Sequence, residues 1–206
     1  YVLEEAFTCL LVNAAHMHNV PGRKTDVQDC IWIAQLLEHG LLRGSFVPPA
    51  PIRELRDLTR YRKVLIQERT RDAQRVHKVL EDAGIKLAAV ATDILGVSGR
   101  AMLDALVQGT TDPEVLAELA KGRLRAKLPA LQQALTGRFR RHHAFLVSEL
   151  LAHLDYLEEA IARLSERIEE QLRPFAEDLK RLDATPGVNQ RVIEGVVAEI
   201  GLDMTR

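Results

Sequence analysis

Two long stretches of the chain repeat apolar residues at intervals of three and four positions, the spacing of a helix with one buried side. Residues 138–172 carry the more regular series, which is Val147, Leu150, Leu154, Leu157, Ile161, Leu164 and Ile168. Residues 51–83 carry a second series, which is Ile52, Leu55, Ile66, Ala73, Val76, Leu80 and Ala83. Three polar residues, Thr59, Arg62 and Arg69, interrupt this second series. Sustained 3–4 spacing is typical of a coiled coil, so we predict a stalk of two long antiparallel helices.

The remaining pattern predicts one strand and several shorter helices. Residues 7–13 are apolar and favour a strand, and residues 25–39 fit a helix with a buried apolar side and Gly40 as its stop. Between the two long helices, short helices are predicted over residues 86–95, 98–107, 112–120 and 125–135, as a cap at the tip of the stalk. Residues 182–190 are predicted to form a hairpin, followed by a helix that runs to residue 199.

The prolines at positions 48, 49 and 51 predict a domain boundary, because each removes a backbone donor and restricts its neighbour. We therefore predict a mainly α chain in three parts. Residues 1–47 are the carboxyl-terminal part of an α/β domain, residues 48–175 are the coiled-coil stalk with its helical cap, and residues 176–206 begin a further helical domain. The first residue is Tyr1 rather than Met, so the chain is expected to be an internal piece of a longer protein.

Composition agrees with helices packed on helices, since 47% of the 206 residues are apolar but only 4% are aromatic. Neither a secretory signal nor an apolar run of 18 residues is present, which predicts a cytoplasmic protein without a membrane partner. Cys9 and Cys30 lie in apolar surroundings without a C-x-x-C pattern, and are predicted to be buried and reduced.

The net charge of −1 conceals a strongly basic segment at residues 119–148, which contains no Asp or Glu. Its cations are Lys121, Arg123, Arg125, Lys127, Arg138, Arg140 and Arg141, and they are joined by His142 and His143. A local field of this kind favours a polyanion such as a nucleic acid. The two adjacent histidines are predicted to point to different sides of a helix, and no zinc spacing is found.

Asp26 and Asp29 are the candidate catalytic and metal-binding residues, because two carboxylates three residues apart on a helix project from the same side. Mg²⁺ prefers such hard oxygen ligands, and phosphoryl-transfer enzymes hold it with one or two carboxylates. The alternative interpretation is a helix start, since Thr25 and Gln28 form a capping-box pattern and acids are favourable in a first helical turn.

Arginine outnumbers lysine along residues 51–83, and planar guanidinium groups suit forked contacts with phosphate. The alternative there is a solvated helix face with ion pairs between neighbouring turns. Gly187 follows Pro186 between two predicted helices, as in a helix-hairpin-helix turn that receives phosphate, although an ordinary loop has the same residues. The predicted nucleic-acid-binding residues are Arg23, Lys24, Arg53, Arg56, Arg60, Arg62, Lys63, Arg69, Arg71, Arg138, Arg140, Arg141 and Gly187.

Several segments together resemble a bacterial insertion-sequence transposase family with an amino-terminal RuvC-like DEDD domain and a carboxyl-terminal serine-bearing domain. The segments are residues 22–29 (GRKTDVQD), 41–49 (LLRGSFVPP), 52–62 (IRELRDLTRYR), 79–87 (VLEDAGIKL), 96–103 (GVSGRAML), 186–188 (PGV) and 198–201 (AEIG). They occur in order along nearly the whole chain.

The resemblance implies a DNA transposase that exchanges strands with Mg²⁺ and a structured guide RNA. It implies that residues 1–47 belong to the RuvC-like, RNase H-like domain and that Asp26 and Asp29 are the third and fourth acids of its tetrad. The first two acids and the nucleophilic serine are expected outside this sequence, and the coiled coil is expected to mediate homo-oligomer formation. The competing interpretation is a non-catalytic coiled-coil module for nucleic-acid binding or oligomerisation.

Overall fold

The computed structural model describes residues 3–4, 6–14 and 26–202, and this part of the chain is mainly helical. Its α-helices are α1 (Asp26–Glu38), α2 (Ala50–Asp82), α3 (Val97–Val107), α4 (Pro113–Glu118), α5 (Leu128–Leu135), α6 (Arg141–Leu172), α7 (Ala176–Asp183) and α8 (Gln190–Ile200). Short 3₁₀ segments occur at Leu87–Ala89, Gly122–Lys127 and Arg173–Phe175.

Helices α2 and α6 pack antiparallel along most of their length. Residue numbers in α6 fall as those in α2 rise, in the contacts Arg62–Ser165, Arg69–Glu158, Asp72–His153 and Asp82–His143. Apolar contacts follow the same order, with Leu55 near Ile168 and Leu65 near Leu157. The predicted pair of long antiparallel helices is therefore observed.

The seam of the stalk contains polar residues as well as apolar ones. Arg62 of α2 is buried at a position where the apolar series is interrupted, and Asp72 is buried one position before Ala73. Leu65 rather than Ile66 supplies the buried side chain between them. On the opposite helix the buried positions are Val147, Leu151, Leu154, Leu157, Ala160, Ile168 and Leu172. Since a buried charge is costly without a partner, each polar seam residue requires one nearby.

The largest apolar core lies at the tip, where α3, α4 and α5 pack against the facing ends of α2 and α6. Two backbone hydrogen bonds hold the connections together, from Lys86 N–H to the Ala134 carbonyl (2.8 Å) and from Arg138 N–H to the Ala83 carbonyl (2.6 Å). A Cβ at Gly137 would lie 2.5 Å from the Ala83 carbonyl oxygen, so this crossing requires glycine.

The helix predicted over residues 86–95 is wrong. Only Leu87–Ala89 is helical, as one 3₁₀ turn. The Lys86 N–H group is bonded across to α5, and the Asp93 carboxylate accepts a hydrogen bond from Leu95 N–H at 2.9 Å. Local side-chain bonds of this type compete with a helical ladder, while burial of Leu87 and Ile94 draws the segment into the core.

At the other end of the stalk, α7 and α8 fold back onto α2 and α6. Ile193, Val197 and Ala198 of α8 are buried against Ile52 and Leu55 of α2. Asn189 caps α8 by accepting a hydrogen bond from Val192 N–H at 3.0 Å. The predicted hairpin and final helix are therefore observed at this end.

The amino-terminal residues differ most from their prediction. Residues 7–13 do not form a strand; the described part contains one isolated antiparallel bridge, between Val12 and Gly44. A strand requires neighbouring strands to satisfy its backbone, and none is present among the described residues. Helix α1 has no buried residue, and Cys9 and Cys30 are exposed, so the predicted burial of the two thiols is wrong.

The stalk core gives a direct test of the packing. Leu154 is 2% exposed in the seam, so Leu154→Ala is expected to lower the free energy of unfolding by about 2–5 kcal/mol through lost burial and a cavity. Leu146 lies on the same helix but is 45% exposed, and Leu146→Ala is expected to change the free energy of unfolding by less than about 0.5 kcal/mol. Urea denaturation measures both. Equal effects of the two substitutions would contradict the observed packing.

Candidate nucleic-acid interface and carboxylate pair

The carboxylates of Asp26 and Asp29 lie in the first turn of α1, and both residues are exposed. Side chains three residues apart on a helix are neighbours, with Cβ atoms about 5–6 Å apart. No third His, Cys, Asp or Glu of the described residues joins them in a metal-binding group. The oxygen donors of this open pair fit Mg²⁺ as two of its ligands. Arg23, Lys24 and Thr25, which precede the pair, lie outside the described residues.

Arg56 and Arg60 of α2 bind the carboxyl-terminal turn of α8. Arg56 donates to the carbonyl oxygens of Ala198 (3.1 Å) and Glu199 (2.6 Å), and Arg60 donates two hydrogen bonds of 2.9 Å to the Glu199 carboxylate. Cations are favourable at this end of a helix because its last carbonyl groups are unpaired. The hydrogen bonds from Arg60 hold the pKa of Glu199 below its usual value. These two arginines therefore cap and anchor α8.

Arg62 is buried at the junction of three helices. Its guanidinium group forms an ion pair with Glu194 of α8 and a 3.4 Å hydrogen bond with Ser165 of α6. The side chains of Arg62 and Glu194 are only 7% and 6% exposed, so neither faces solvent. In this arrangement the guanidinium group of Arg62 joins α2, α6 and α8 and is not accessible to a phosphate.

Three further predicted arginines of the stalk form ion pairs at the surface. They are Arg53 with Glu4 (2.6 Å), Arg69 with Glu158 (2.6 Å) and Arg71 with Glu68 (3.7 Å). The hydrogen bonds from Arg53 hold the pKa of Glu4 below its usual value. Because each pairs with an acid, their positive charge is largely compensated within the chain.

Lys63 differs from these arginines, because it is exposed and has no ion pair with a described residue. It lines a groove of about 720 Å³ between α2 and α8, with Arg191 on the opposite side.

The predicted cations at the tip are exposed and lack acidic partners. Arg138, Arg140 and Arg141 lie at and just before the start of α6, and none of the three forms an ion pair with a described residue. The 3₁₀ segment Gly122–Lys127 adds Arg123, also exposed and without an acidic partner among the described residues, whereas Arg125 pairs with Glu118 at 2.6 Å. The uncompensated positive charge of the described stalk is therefore concentrated at the tip.

Gly187 lies in the exposed turn between α7 and α8 and has φ = +84°, a backbone conformation that favours glycine. The neighbouring Asn189 already caps α8 with its side chain. One of the amide groups that a phosphate would contact at this helix start is therefore occupied.

The structure also contains a cluster that the spacing of residues did not predict. The rings of His142 and His143 do not diverge; their centroids lie 3.8 Å apart, and His143 Nε2 is 2.9 Å from an Asp82 carboxylate oxygen. The prediction that the two histidines point to different sides is therefore wrong. They occupy the first turn of α6, where the ring of His143 turns back to accept a hydrogen bond from Arg140 N–H. Asp82 is distant in sequence, so only the antiparallel register could have indicated the contact.

Comparison with known proteins gives a match at the amino-terminal end of the chain. Residues 1–85 match the model of the DEDD_Tnp_IS110 family, whose description is Transposase. No curated protein and no solved structure has a significant match to the chain. The matched region contains Asp26 and Asp29, and it ends just beyond α2.

Residues 1–85 therefore resemble a transposase. Over this part of the chain the similarity is to the IS110 family of DEDD transposases. At this level the match indicates an activity in DNA recombination, with DNA as the substrate. None of the described helices is long and apolar enough to cross a bilayer.

The buried ion pair predicts a large effect of a single substitution. Arg62→Ala is expected to lower the free energy of unfolding by about 3–5 kcal/mol, because it leaves the Glu194 charge buried and unpaired. Arg71→Ala removes an exposed arginine of the same helix and is expected to change the free energy of unfolding by less than about 0.5 kcal/mol. Chemical denaturation measures both values.

The double variant Arg62→Met, Glu194→Leu separates charge from packing. It replaces the pair with apolar side chains of similar size and is expected to recover most of the lost stability. A small effect of Arg62→Ala would show that the pair is not buried as described.

Proposed function

We propose that this chain acts in DNA transposition as part of a metal-dependent strand-exchange enzyme, with Asp26 and Asp29 as catalytic metal ligands. The observation that carries the proposal is the exposed carboxylate pair on the first turn of α1, within the region that matches the transposase family. Exposure matters because a metal centre that acts on DNA must be reached by a phosphodiester group. The family name DEDD denotes a set of acids, and these two residues supply a pair of them.

The carboxylates of Asp26 and Asp29 would hold Mg²⁺ through oxygen atoms. Such an ion, when bound, supplies a positive charge that stabilises the attacking and leaving oxygens in phosphoryl transfer. The role of the two side chains is to place that charge beside the scissile phosphate. The first turn of a helix also provides unpaired N–H groups, which favour negative charge at the same place.

We propose that the cationic tip of the stalk, defined as Arg123, Arg138, Arg140 and Arg141, contacts nucleic-acid phosphates. The support is its exposure and its lack of acidic partners, in contrast with the paired arginines of α2. The candidate partners are DNA and a structured guide RNA, as the family resemblance implies. Arg23, Lys24, Lys63 and Gly187 remain proposed additional contacts. Arg53, Arg56, Arg60, Arg62, Arg69 and Arg71 would first have to leave their acidic partners.

Homo-oligomer formation through the stalk is a further part of the proposal. Its support is a set of exposed aromatic side chains on the outer surfaces of the long helices, Tyr61 of α2 and Phe145 and Tyr156 of α6. Exposed aromatic residues are enriched at protein interfaces.

A second candidate function is a non-catalytic module for nucleic-acid binding or oligomerisation. The observation that favours it is that no third ligand joins Asp26 and Asp29 among the described residues. In that case the two carboxylates serve only as favourable first-turn acids of α1. Their replacement would then lower the free energy of unfolding by about 0.5–2 kcal/mol without any effect on metal binding.

Strand exchange in the transposase that carries these residues tests the catalytic proposal. Asp26→Asn and Asp29→Asn are each expected to lower the Mg²⁺-dependent rate at least about a hundredfold, equivalent to about 2.7 kcal/mol in barrier height. Glu38→Gln, at the opposite end of the same helix, is the matched control and is expected to retain the activity. Full activity of both aspartate variants would favour the non-catalytic module.

The salt dependence of binding tests the cationic tip. The double variant Arg140→Ala, Arg141→Ala is expected to weaken binding to duplex DNA and structured RNA, and to reduce the slope of log affinity against log salt by about 0.9 per lost duplex contact. Arg163 and Arg167 are exposed arginines at the other end of α6, each paired with an acid. Their double alanine variant is the control and is expected to keep the slope. An unchanged slope in the tip variant would contradict the proposal.

A further inference from the structure

The end of α2 and the start of α6 bring three potential metal ligands together at the tip of the stalk. Asp82 is the last residue of α2, and His142 and His143 are the second and third residues of α6. One ligand atom from each side chain can be chosen so that all three lie within 4.8 Å of one another. Among the described residues this is the only group of three or more His, Cys, Asp or Glu side chains with that geometry.

We propose that Asp82, His142 and His143 form a binding site for a divalent transition-metal ion such as Zn²⁺ or Co²⁺. Two imidazole nitrogens and one carboxylate oxygen are a ligand set that suits these ions, whereas Mg²⁺ prefers oxygen ligands. Three protein ligands leave a fourth position for water. The site is separate from Asp26 and Asp29 in residues and in metal chemistry, so it does not depend on the proposed transposase mechanism.

The three side chains differ in how firmly they are held. The side chain of His143 is 5% exposed and packs near Phe139, whereas the side chain of Asp82 is 76% exposed and His142 is also exposed. His143 is therefore the fixed ligand. Asp82 and His142 can adjust their side chains at the surface to reach bonding distances of about 2.0–2.2 Å.

Metal binding requires a change of tautomer at His143. Its Nδ1 atom accepts a hydrogen bond from Arg140 N–H at 3.1 Å, so the neutral ring carries its proton on Nε2, facing Asp82. When Nε2 binds the metal, its proton is released to water and Nδ1 takes a proton from water, so the ring stays neutral. The Arg140 N–H group, at an exposed residue, then bonds to water.

Some charges around the site favour a bound cation and others oppose it. Asp82 lies at the carboxyl end of α2, where the helix dipole favours a cation, but Arg140, Arg141 and the start of α6 oppose one. The carboxylate of Asp82 is the only negative group of the three ligands. Its removal is therefore expected to weaken binding strongly even though both imidazoles remain.

A metal at this position would connect the end of α2 to the start of α6 beneath the cap. The hydrogen bond between His143 and Asp82 already joins α2 to α6, and coordination would replace it with two stronger bonds to a common ion. An ion that binds only the folded chain stabilises it. The midpoint of thermal unfolding is therefore expected to rise as Zn²⁺ or Co²⁺ is added.

Co²⁺ titration of the chain, followed by its visible absorption and by the thermal midpoint, tests the proposal. The chain is expected to bind Co²⁺ with a rise in the midpoint, and Mg²⁺ is not expected to compete. His142→Ala and Asp82→Asn are each expected to weaken this binding at least about a hundredfold, beyond the 10- to 100-fold typical for loss of an outer-sphere partner. His142 is exposed, so circular dichroism without metal should show that its variant folds.

His153→Ala is the matched control, because His153 also pairs with an aspartate, Asp72, but no second imidazole of the described residues joins them. It is expected to bind Co²⁺ as the unmodified chain does. The exposed thiols Cys9 and Cys30 remain in every variant, so any binding by them is common to all. Absence of Co²⁺ binding by the unmodified chain would overturn the proposal, and so would equal binding by the His142 and Asp82 variants.

Discussion

The antiparallel register of α2 and α6 is the constraint on which the rest of the structure depends. It brings the end of one long helix to the start of the other, which closes the tip around an apolar core, and it places the opposite ends side by side, where α8 docks. The same register brings the two buried charged residues of α2 to partners on α6, Asp72 to His153 and Arg62 to Ser165. Asp72 also pairs with Arg75 of its own helix, and Arg62 pairs with Glu194 of α8. A shift by one turn would break both contacts with α6.

The arginines of the stalk consequently divide into two groups with different roles. The first group lies at the base of α2, which is the end of the helix opposite the tip, and consists of Arg56, Arg60 and Arg62. These arginines hold α8 in place by binding its carboxylates and the carbonyl groups at its carboxyl end. Arg123, Arg138, Arg140 and Arg141 at the tip have no acidic partner among the described residues, so their positive field extends into solvent. Residue type alone does not separate the groups, since both contain guanidinium groups that suit phosphate. Burial and the proximity of Glu194 and Glu199 separate them, and both properties arise from folding.

The sequence predicted the elements whose apolar spacing repeats over many consecutive residues. The 3–4 spacing predicted both stalk helices to within a few residues. It did not predict features that need contacts across the chain. Arg62 interrupts the apolar series because it forms an ion pair with Glu194 of α8. Residues 86–95 are not one helix, because the Asp93 carboxylate bonds to the local backbone and the Lys86 N–H group bonds to α5. Likewise, the cluster of Asp82 and the two histidines depends on the closure of the tip.

We propose that nucleic acid contacts the cationic tip, whereas the arginines at the base of α2 stabilise the fold. Photocrosslinking of bound DNA or structured RNA, with the modified peptides mapped by mass spectrometry, tests it most directly. We expect adducts within residues 121–141 and none at Arg56, Arg60 or Arg62, whose guanidinium groups are bonded to α8. Adducts concentrated at the contact between α2 and α8, with an unmodified tip, would contradict it.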